Sequence, residues 1–231
     1  MNTRSQMMCA WAGVICPTIM FGGLWIAGYF PPQSPMMTTN EVAAFYQQNG
    51  GNVRFGMIWV QIAGALYAAF AAGISAQMRR IEHPKTPVLV YAQLAMGAAT
   101  VLFFVMPAMF FIAASFRPER SPDVTQALHD LGWLVFVGVW AIGSLENIII
   151  GLLVISDKST TPVFPRWLGF LNIWMALLFV PAAIMPFFKT GPFAWDGLLA
   201  YWIPATVFGA WFYVMAFQVM KAVRQQEAAE G

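Results

Sequence analysis

The sequence has 231 residues, of which 59% are hydrophobic, 16% aromatic and only 10% charged. Because roughly a quarter of the residues in a soluble domain are charged, this composition is typical of an integral membrane protein. The formal net charge of +2 is small and the basic residues form no run, which argues against a nucleic-acid-binding protein.

Several apolar runs exceed the roughly 18 residues that cross the hydrocarbon core, and none shows the two-residue alternation of an outer-membrane strand. We therefore predict an all-α fold, a polytopic bundle of transmembrane helices that forms a single integral membrane domain over residues 1–231. The six predicted spans lie at about 7–30, 55–78, 87–115, 131–155, 165–188 and 197–220.

The longest predicted loop joins the first two spans and contains a helix signal. Thr38 and Glu41 form a Thr-x-x-Glu capping box, and the sequence Asn49-Gly50-Gly51 is typical of a helix end. We predict a short interfacial helix over residues 38–49. It is either a lid over the mouth of a pocket or a surface loop that happens to fold.

The orientation of the bundle follows from its basic residues. The turn with Arg79, Arg80 and Lys85 is the strongest signal, since cytoplasmic loops are enriched in Lys and Arg. With that turn inside, eight of the 12 Lys and Arg residues fall on the inner side. Both termini are therefore predicted to be cytoplasmic.

Two spans carry faces of small residues that favour close helix packing. The second span is rich in glycine and alanine, which places it at the centre of the bundle. In the fourth span, Gly143, Asn147 and Gly151 recur every four residues and so share one face. Faces of this kind also permit a homo- or hetero-oligomer.

The fourth helix is predicted to begin before the membrane does, because Ser121-Pro122-Asp123 reads as an N-cap, a first-turn proline and a first-turn acid. His129 and Asp130 then lie at about the outer interface. Neighbours on a helix point about 100° apart, so these two do not form a dyad. They serve either as an outer gate or acid/base group with another helix, or as two solvated polar groups.

Glu146 is the centre of the functional prediction, because it places a carboxyl group inside an apolar run long enough to cross a bilayer. A charge at that depth costs at least ~2.5–3.5 kcal/mol, so Glu146 is protonated, partnered or in contact with water or a ligand. Helical rise places Glu146 and Asn147 at about the depth of Gln93 and Asn172 on neighbouring spans. We predict that these four residues share one polar level in the cytoplasmic half.

Aromatic side chains extend the candidate ligand site. Tyr91 and Tyr213 lie within reach of the same level on the third and sixth spans. Trp140 and Trp174 lie deeper than the interfacial tryptophans and suit stacking on a flat ligand.

Two interpretations of Glu146 stay open. In the first, it binds the polar end of a ligand or exchanges a proton as a catalytic acid or base. In the second, a neutral Glu146 bonded to Asn172 or Gln93 only fixes helix packing. We favour the first, because amides would fix packing at a lower cost.

No metal or cofactor is predicted. The two histidines, His83 and His129, lie at opposite ends of the bundle, and mid-membrane lysines, CxxC pairs and glycine-rich phosphate loops are absent from the sequence. A bis-histidine haem, a di-iron centre and a retinal Schiff base are therefore not expected.

The turn sequences Phe164-Pro165-Arg166-Trp167 and Gly191-Pro192-Phe193-Ala194-Trp195-Asp196-Gly197 resemble those of small six-pass inner-membrane proteins of bacteria. The resemblance implies a bacterial inner or plasma membrane and no particular activity.

Three functions are compatible with the sequence. The first is an intramembrane pocket for a small, largely apolar, lipid- or isoprenoid-like ligand, with Glu146 at its polar end, that moves or transforms the ligand. The second is a proton-linked transporter or channel subunit. The third is a non-catalytic accessory subunit of a membrane complex. Membrane lipid is the expected partner in all three.

Overall fold

Helices form the regular structure of the residues that the computed structural model describes, 3–82 and 86–230. Within these residues, six helical stretches are long and apolar enough to cross a membrane, which confirms the predicted six-span helical bundle. Two residues of the predicted inner turn, His83 and Lys85, lie outside this part of the chain. In chain order the elements are α1 (Thr3–Ile26), α2 (Thr39–Met78), α3 (Val88–Phe116), α4 (Pro122–Gly138), α5 (Trp140–Ser156), α6 (Arg166–Phe179), a 3₁₀ segment (Val180–Phe187), a π-helical segment (Leu198–Trp202) and α7 (Ile203–Glu230).

Large apolar side chains cover the outside of the bundle. A soluble monomer rarely exposes a contiguous apolar surface of this extent, whereas lipid tails solvate it. The protein is therefore a multi-pass membrane protein. Side chains that are more than half exposed occur along all six spans and include Met8, Trp25, Phe55, Val88, Leu152, Trp174, Phe187 and Phe217.

The longest helix, α2, joins two elements that the sequence predicted to be separate. Its capping box is as expected, since the Thr38 hydroxyl accepts from the Glu41 amide at 3.4 Å and the Thr38 amide donates to Glu41 Oε2 at 2.7 Å. The predicted stop at Asn49-Gly50-Gly51 is wrong, however, and the separate helix over residues 38–49 does not exist.

The physical reason is packing. A glycine inside a helix costs about 1 kcal/mol relative to alanine, which close tertiary contact can outweigh. Gly50 is buried against α3, where a Cβ atom would lie 3.3 Å from the Ser115 carbonyl oxygen. The missing side chain lets the two helices meet, and α2 continues to Met78.

Helix α2 lies at the centre of the bundle, as its small residues predicted, and packs against α1, α3, α4 and α7. Its closest approach to α1 is at Gly56, where a Cβ atom would collide with the Gly23 carbonyl oxygen. The small-residue face of the fourth span is used in the same way, because a Cβ atom on Gly151 would lie 2.8 Å from the Gly169 carbonyl oxygen of α6. Both faces are thus packed within the chain.

Three of the spans depart from regular α-helix part of the way across. Val139 (φ −83°, ψ 49°) separates α4 from α5 within the fourth span. The 3₁₀ segment ends the fifth span and contains Pro181 and Pro186, which lack the N–H that an α-helix would use. The π-helical segment begins the sixth span and is followed by Pro204.

Candidate functional site

Glu146 on α5 is 1% exposed and makes hydrogen bonds to two other helices. The Tyr67 hydroxyl of α2 donates to Oε2 at 2.6 Å, and the Gln93 amide of α3 donates to Oε1 at 3.0 Å. The Thr100 hydroxyl, also on α3, lies 3.1 Å from Oε2. The carboxyl group is therefore shared by α2, α3 and α5, without a cationic partner among the described residues.

The Gln93 side chain is fully buried between Ser75 and Glu146. The single hydrogen of the Ser75 hydroxyl points either to Gln93 Oε1 or to the Ala71 carbonyl oxygen, 3.0 Å away. The Gln93 amide nitrogen faces Glu146. Gly97 of α3 also lies against the carboxyl group, since a Cβ atom there would lie 3.1 Å from Glu146 Oε1.

The Thr100 hydroxyl gives this cluster two proton arrangements. Its oxygen lies 2.9 Å from the Met96 carbonyl oxygen as well as 3.1 Å from Glu146 Oε2, and its one hydrogen can point to only one of them. If the hydrogen points to Glu146, an ionised carboxylate accepts three bonds. If it points to Met96, a neutral Glu146 donates to Thr100. The carboxyl group can thus hold or release a proton without moving its neighbours.

The predicted four-residue polar level forms only in part. Asn147 does not join Glu146 and Gln93, because neighbouring helix positions differ by about 100° and its amide donates to the Gly143 carbonyl oxygen of its own helix at 2.9 Å. Asn172 belongs to a second cluster, where its amide donates to the Leu168 carbonyl oxygen and its Oδ1 accepts from Trp211 Nε1 at 2.9 Å. Of the three predicted neighbours, only Gln93 bonds to Glu146.

The predicted aromatic ligands are distributed between interior and surface. Tyr91 and Trp174 are each 63% exposed on the outside of the bundle, and so lie away from Glu146. The Tyr213 hydroxyl lies 3.0 Å from that of Thr18 in an exposed pair. Trp140 alone among these four lines an internal cavity.

That cavity, of about 90 Å³, lies where the three irregular spans meet. It exceeds the ~10–15 Å³ that one water needs. Its walls include the break at Val139, Ala182 of the 3₁₀ segment and two residues of the π-helical segment, so part of the irregular backbone lines the cavity. The lining residues are Met20, Phe21, Thr100, Phe103, Phe136, Val137, Val139, Trp140, Ile142, Gly143, Phe179, Ala182, Ala200, Tyr201, Pro204, Ala205 and Phe208.

The cavity is almost entirely apolar, and Thr100 connects it to Glu146. Thr100 belongs to the cavity wall and bonds to the carboxyl group, whereas Glu146 lies behind it. On the side between α5 and α7, Trp140, Ile142 and Ala205 are only half-buried. The cavity therefore extends toward the lateral surface of the bundle.

Sequence reasoning missed Tyr67 and Thr100. Thr100 follows Gln93 by seven residues, two helical turns, so both side chains lie on the same face of α3. Tyr67 is the one large polar side chain within the small-residue stretch Ala63–Ala72 of α2. The first signal is one of helical periodicity and the second one of composition, and both are present in the sequence.

His129 is 1% exposed, so the interpretation of a solvated interfacial group is wrong for it. The Tyr46 hydroxyl lies 2.9 Å from His129 Nδ1, and the Tyr29 hydroxyl donates to that of Tyr46 at 2.8 Å. The unbroken α2 is what brings Tyr46 over the ring. Asp130, the next residue along the helix, is half-buried and faces a different direction.

Asp157 organises the connection between α5 and α6 at the other end of the bundle. Its carboxylate accepts from the Ser159 hydroxyl at 2.6 Å and from the Val163 amide at 3.0 Å. Partial burial raises the pKa of Asp157, but these bonds and the nearby Arg80 outweigh that effect and hold the pKa below its ordinary value. The loop's own donors occupy this carboxylate.

Comparison of the chain with protein-family models, with curated proteins and with solved structures gives no match.

Proposed function

We propose that the protein binds a small, largely apolar, lipid- or isoprenoid-like molecule in the cavity beside Thr100 and moves or transforms it. One observation carries this proposal: Thr100, whose hydroxyl is bonded to the buried carboxyl group of Glu146, is one of the residues that line a largely apolar cavity. Ligand pockets are mostly apolar with a few convergent polar groups, which is the pattern here.

In this proposal Glu146 acts through Thr100 rather than by touching the ligand. A neutral Glu146 gives its proton to Thr100 Oγ1 while the Thr100 hydroxyl, turned from the Met96 carbonyl oxygen toward the cavity, passes its own hydrogen to a ligand atom there. The reverse transfer returns the proton to Glu146. Such a relay supports general acid or base chemistry on the ligand.

The test is mass spectrometry of the molecules that co-purify with the protein in mild detergent. We expect one specific lipid-like compound with the wild type and with Ala98→Leu, which enlarges an exposed position of the third span. We expect its loss in Gly143→Leu and in Ala205→Phe, which fill the cavity from opposite walls. Equal ligand content in all four proteins would refute the proposal.

A proton-linked transporter is the second candidate, favoured by the three interrupted spans around the cavity. Transporters place their sites at discontinuous helices near mid-membrane, and a carboxyl group with two proton arrangements suits coupling. Proton uptake into liposomes that depends on an imposed pH gradient, and that disappears in Glu146→Gln, supports this function. If no specific ligand co-purifies and no proton uptake is measured, the result would instead favour an accessory subunit.

We further propose that the membrane is a bacterial inner membrane, with both termini in the cytoplasm. The bias of Lys and Arg toward the predicted inner side supports this orientation.

A further inference from the structure

Three buried aromatic residues at the end of the cavity away from Glu146 carry polar atoms that lack partners. His129, Trp133 and Tyr201 are 1%, 0% and 3% exposed. The Trp133 ring lies 6.3 Å from the His129 ring and 6.1 Å from the Tyr201 ring. Within residues 3–82 and 86–230, His129 Nε2, Trp133 Nε1 and the Tyr201 hydroxyl form no hydrogen bond.

These unpartnered atoms are mainly hydrogen-bond donors. Tyr29 donates to the Tyr46 hydroxyl, whose own hydrogen is then free to point to His129 Nδ1. A neutral imidazole that accepts at Nδ1 carries its proton at Nε2. An indole nitrogen can only donate, and a phenol can do either. The group is therefore rich in donors and short of an acceptor.

Each buried polar atom without a partner lowers the stability of the folded protein. A buried donor without a partner costs about 1–3 kcal/mol, and nearly all buried polar groups in native proteins are paired with protein, water or ligand. Three unpartnered polar atoms on neighbouring rings thus indicate that a bound molecule supplies the missing hydrogen-bond partner. Tyr201 alone of the three lines the cavity, so it is the member of the group that lies closest to a ligand bound there.

The charge of the residues that line the cavity limits which class of ligand can bind there. None of the described residues that line the cavity is charged. Donors without an acceptor do not suit a cation, and a wall without a positive charge does not suit an anion. An uncharged oxygen acceptor fits both conditions.

We infer that the Tyr201 end of the cavity binds a carbonyl-type oxygen on an otherwise apolar molecule, with Trp133 and His129 behind the Tyr201 hydroxyl. This inference rests on the proposed function and specifies the class of ligand. Such a carbonyl has two sources, the ester group of a membrane lipid and a free apolar ketone or quinone.

The experiment uses two probes that differ only in the oxygen, undecan-2-one labelled with ¹³C at its carbonyl and undecane. The protein is placed in nanodiscs of diether lipids, which contain no carbonyl group. Infrared spectroscopy of the labelled carbonyl then separates hydrogen-bonded ketone from ketone dissolved in lipid. Competition with undecane measures the contribution of the oxygen.

We expect a carbonyl band shifted to lower frequency in the wild type, and about 3–10-fold tighter binding of the ketone than of undecane. Tyr201→Phe should remove both effects while the apolar probe still binds. Tyr213→Phe is the matched control, because its hydroxyl is bonded to Thr18 away from the cavity, and it should leave the band unchanged.

The outcomes separate this inference from the proposed function. If Tyr201→Phe leaves the shifted band and the affinity ratio unchanged, or if ketone and undecane bind equally, the inference is overturned and ordered water satisfies the donors. The cavity would then still bind apolar molecules. If Gly143→Leu binds both probes as the wild type does, the proposed function fails as well.

The source of the carbonyl follows from the lipid. Weaker ketone binding in nanodiscs of the corresponding diester lipid identifies the lipid ester as a competing occupant. Equal binding in both lipids identifies a free carbonyl compound as the ligand.

Discussion

The Tyr67 hydroxyl on α2 donates a 2.6 Å hydrogen bond to Glu146 Oε2 on α5, although the two residues are 79 positions apart. Helices α2 and α5 make little other contact, and α3 lies against both of them. The bond therefore ties the central helix to the helix that carries the candidate site. Both groups are almost completely buried, so water cannot replace a lost partner.

Tyr67→Phe should destabilise the protein by about 1–2 kcal/mol, because it leaves a buried carboxyl oxygen without one of its donors. The measurement is thermal or denaturant unfolding in one detergent. Tyr213→Phe is the control, since it removes an equally sized hydroxyl from a pair that is more than one third exposed, and it should change stability by less than about 0.5 kcal/mol. Equal losses in the two variants would contradict the importance of the buried bond.

Glu146→Gln and Glu146→Ala should separate the proton chemistry of Glu146 from its role in packing. Glutamine keeps the shape and one acceptor, so its stability should stay within about 1 kcal/mol of the wild type. Alanine leaves the Tyr67 and Gln93 donors without a partner and creates a void, which should cost about 2–4 kcal/mol.

In the functional assays, Glu146→Gln should keep the co-purified ligand but lose proton uptake or turnover, because an amide cannot exchange a proton in this way. The readouts are ligand content by mass spectrometry and the liposome pH assay. Full activity in Glu146→Gln would assign Glu146 to packing alone.

The spans, and the level along the bundle that Gln93 shares with Glu146, could be predicted from the sequence because hydropathy and helical rise act along a single helix. This shared level was enough to predict that Gln93 lies near Glu146. It was not enough for Asn172, because the direction in which a side chain points around the helix axis depends on neighbouring helices. Trp211 of α7 holds Asn172 in its own cluster.

The continuity of α2 through Asn49-Gly50-Gly51 has a similar cause. Local propensity favours a stop there, and the packing of Gly50 against Ser115 on α3 helps to compensate for it. Because α2 is continuous, Tyr46 lies beside His129. The wrong prediction of a helix end near residue 49 therefore also missed the hydrogen-bond partner of His129. The cavity was also beyond prediction, because it depends on three helix irregularities meeting in space.

Gly51→Ala should stabilise the protein by about 0.5–1 kcal/mol, because alanine favours a helix and a Cβ atom at this position meets nothing within 4 Å. Gly56→Ala, five residues further along the same helix, should instead cost about 1–3 kcal/mol, since its Cβ atom would collide with the backbone of α1 at Gly23. Unfolding of both variants against the wild type is the measurement. A loss of stability in Gly51→Ala would mean that the helix does end near residue 49.

Reporter fusions at the two termini test the orientation of the bundle. Six spans place both ends on one side, and the bias of basic residues toward the predicted inner side supports the proposal that this side is the cytoplasm. A fluorescent protein that matures only in the cytoplasm should therefore be bright at either end, and alkaline phosphatase, which needs an oxidising compartment, should be inactive there. The same phosphatase inserted in the turn between Lys189 and Gly197 should be active, because that turn joins the last two spans on the opposite side. Active phosphatase at either terminus would reverse the orientation, and opposite results at the two ends would reduce the number of spans to an odd one.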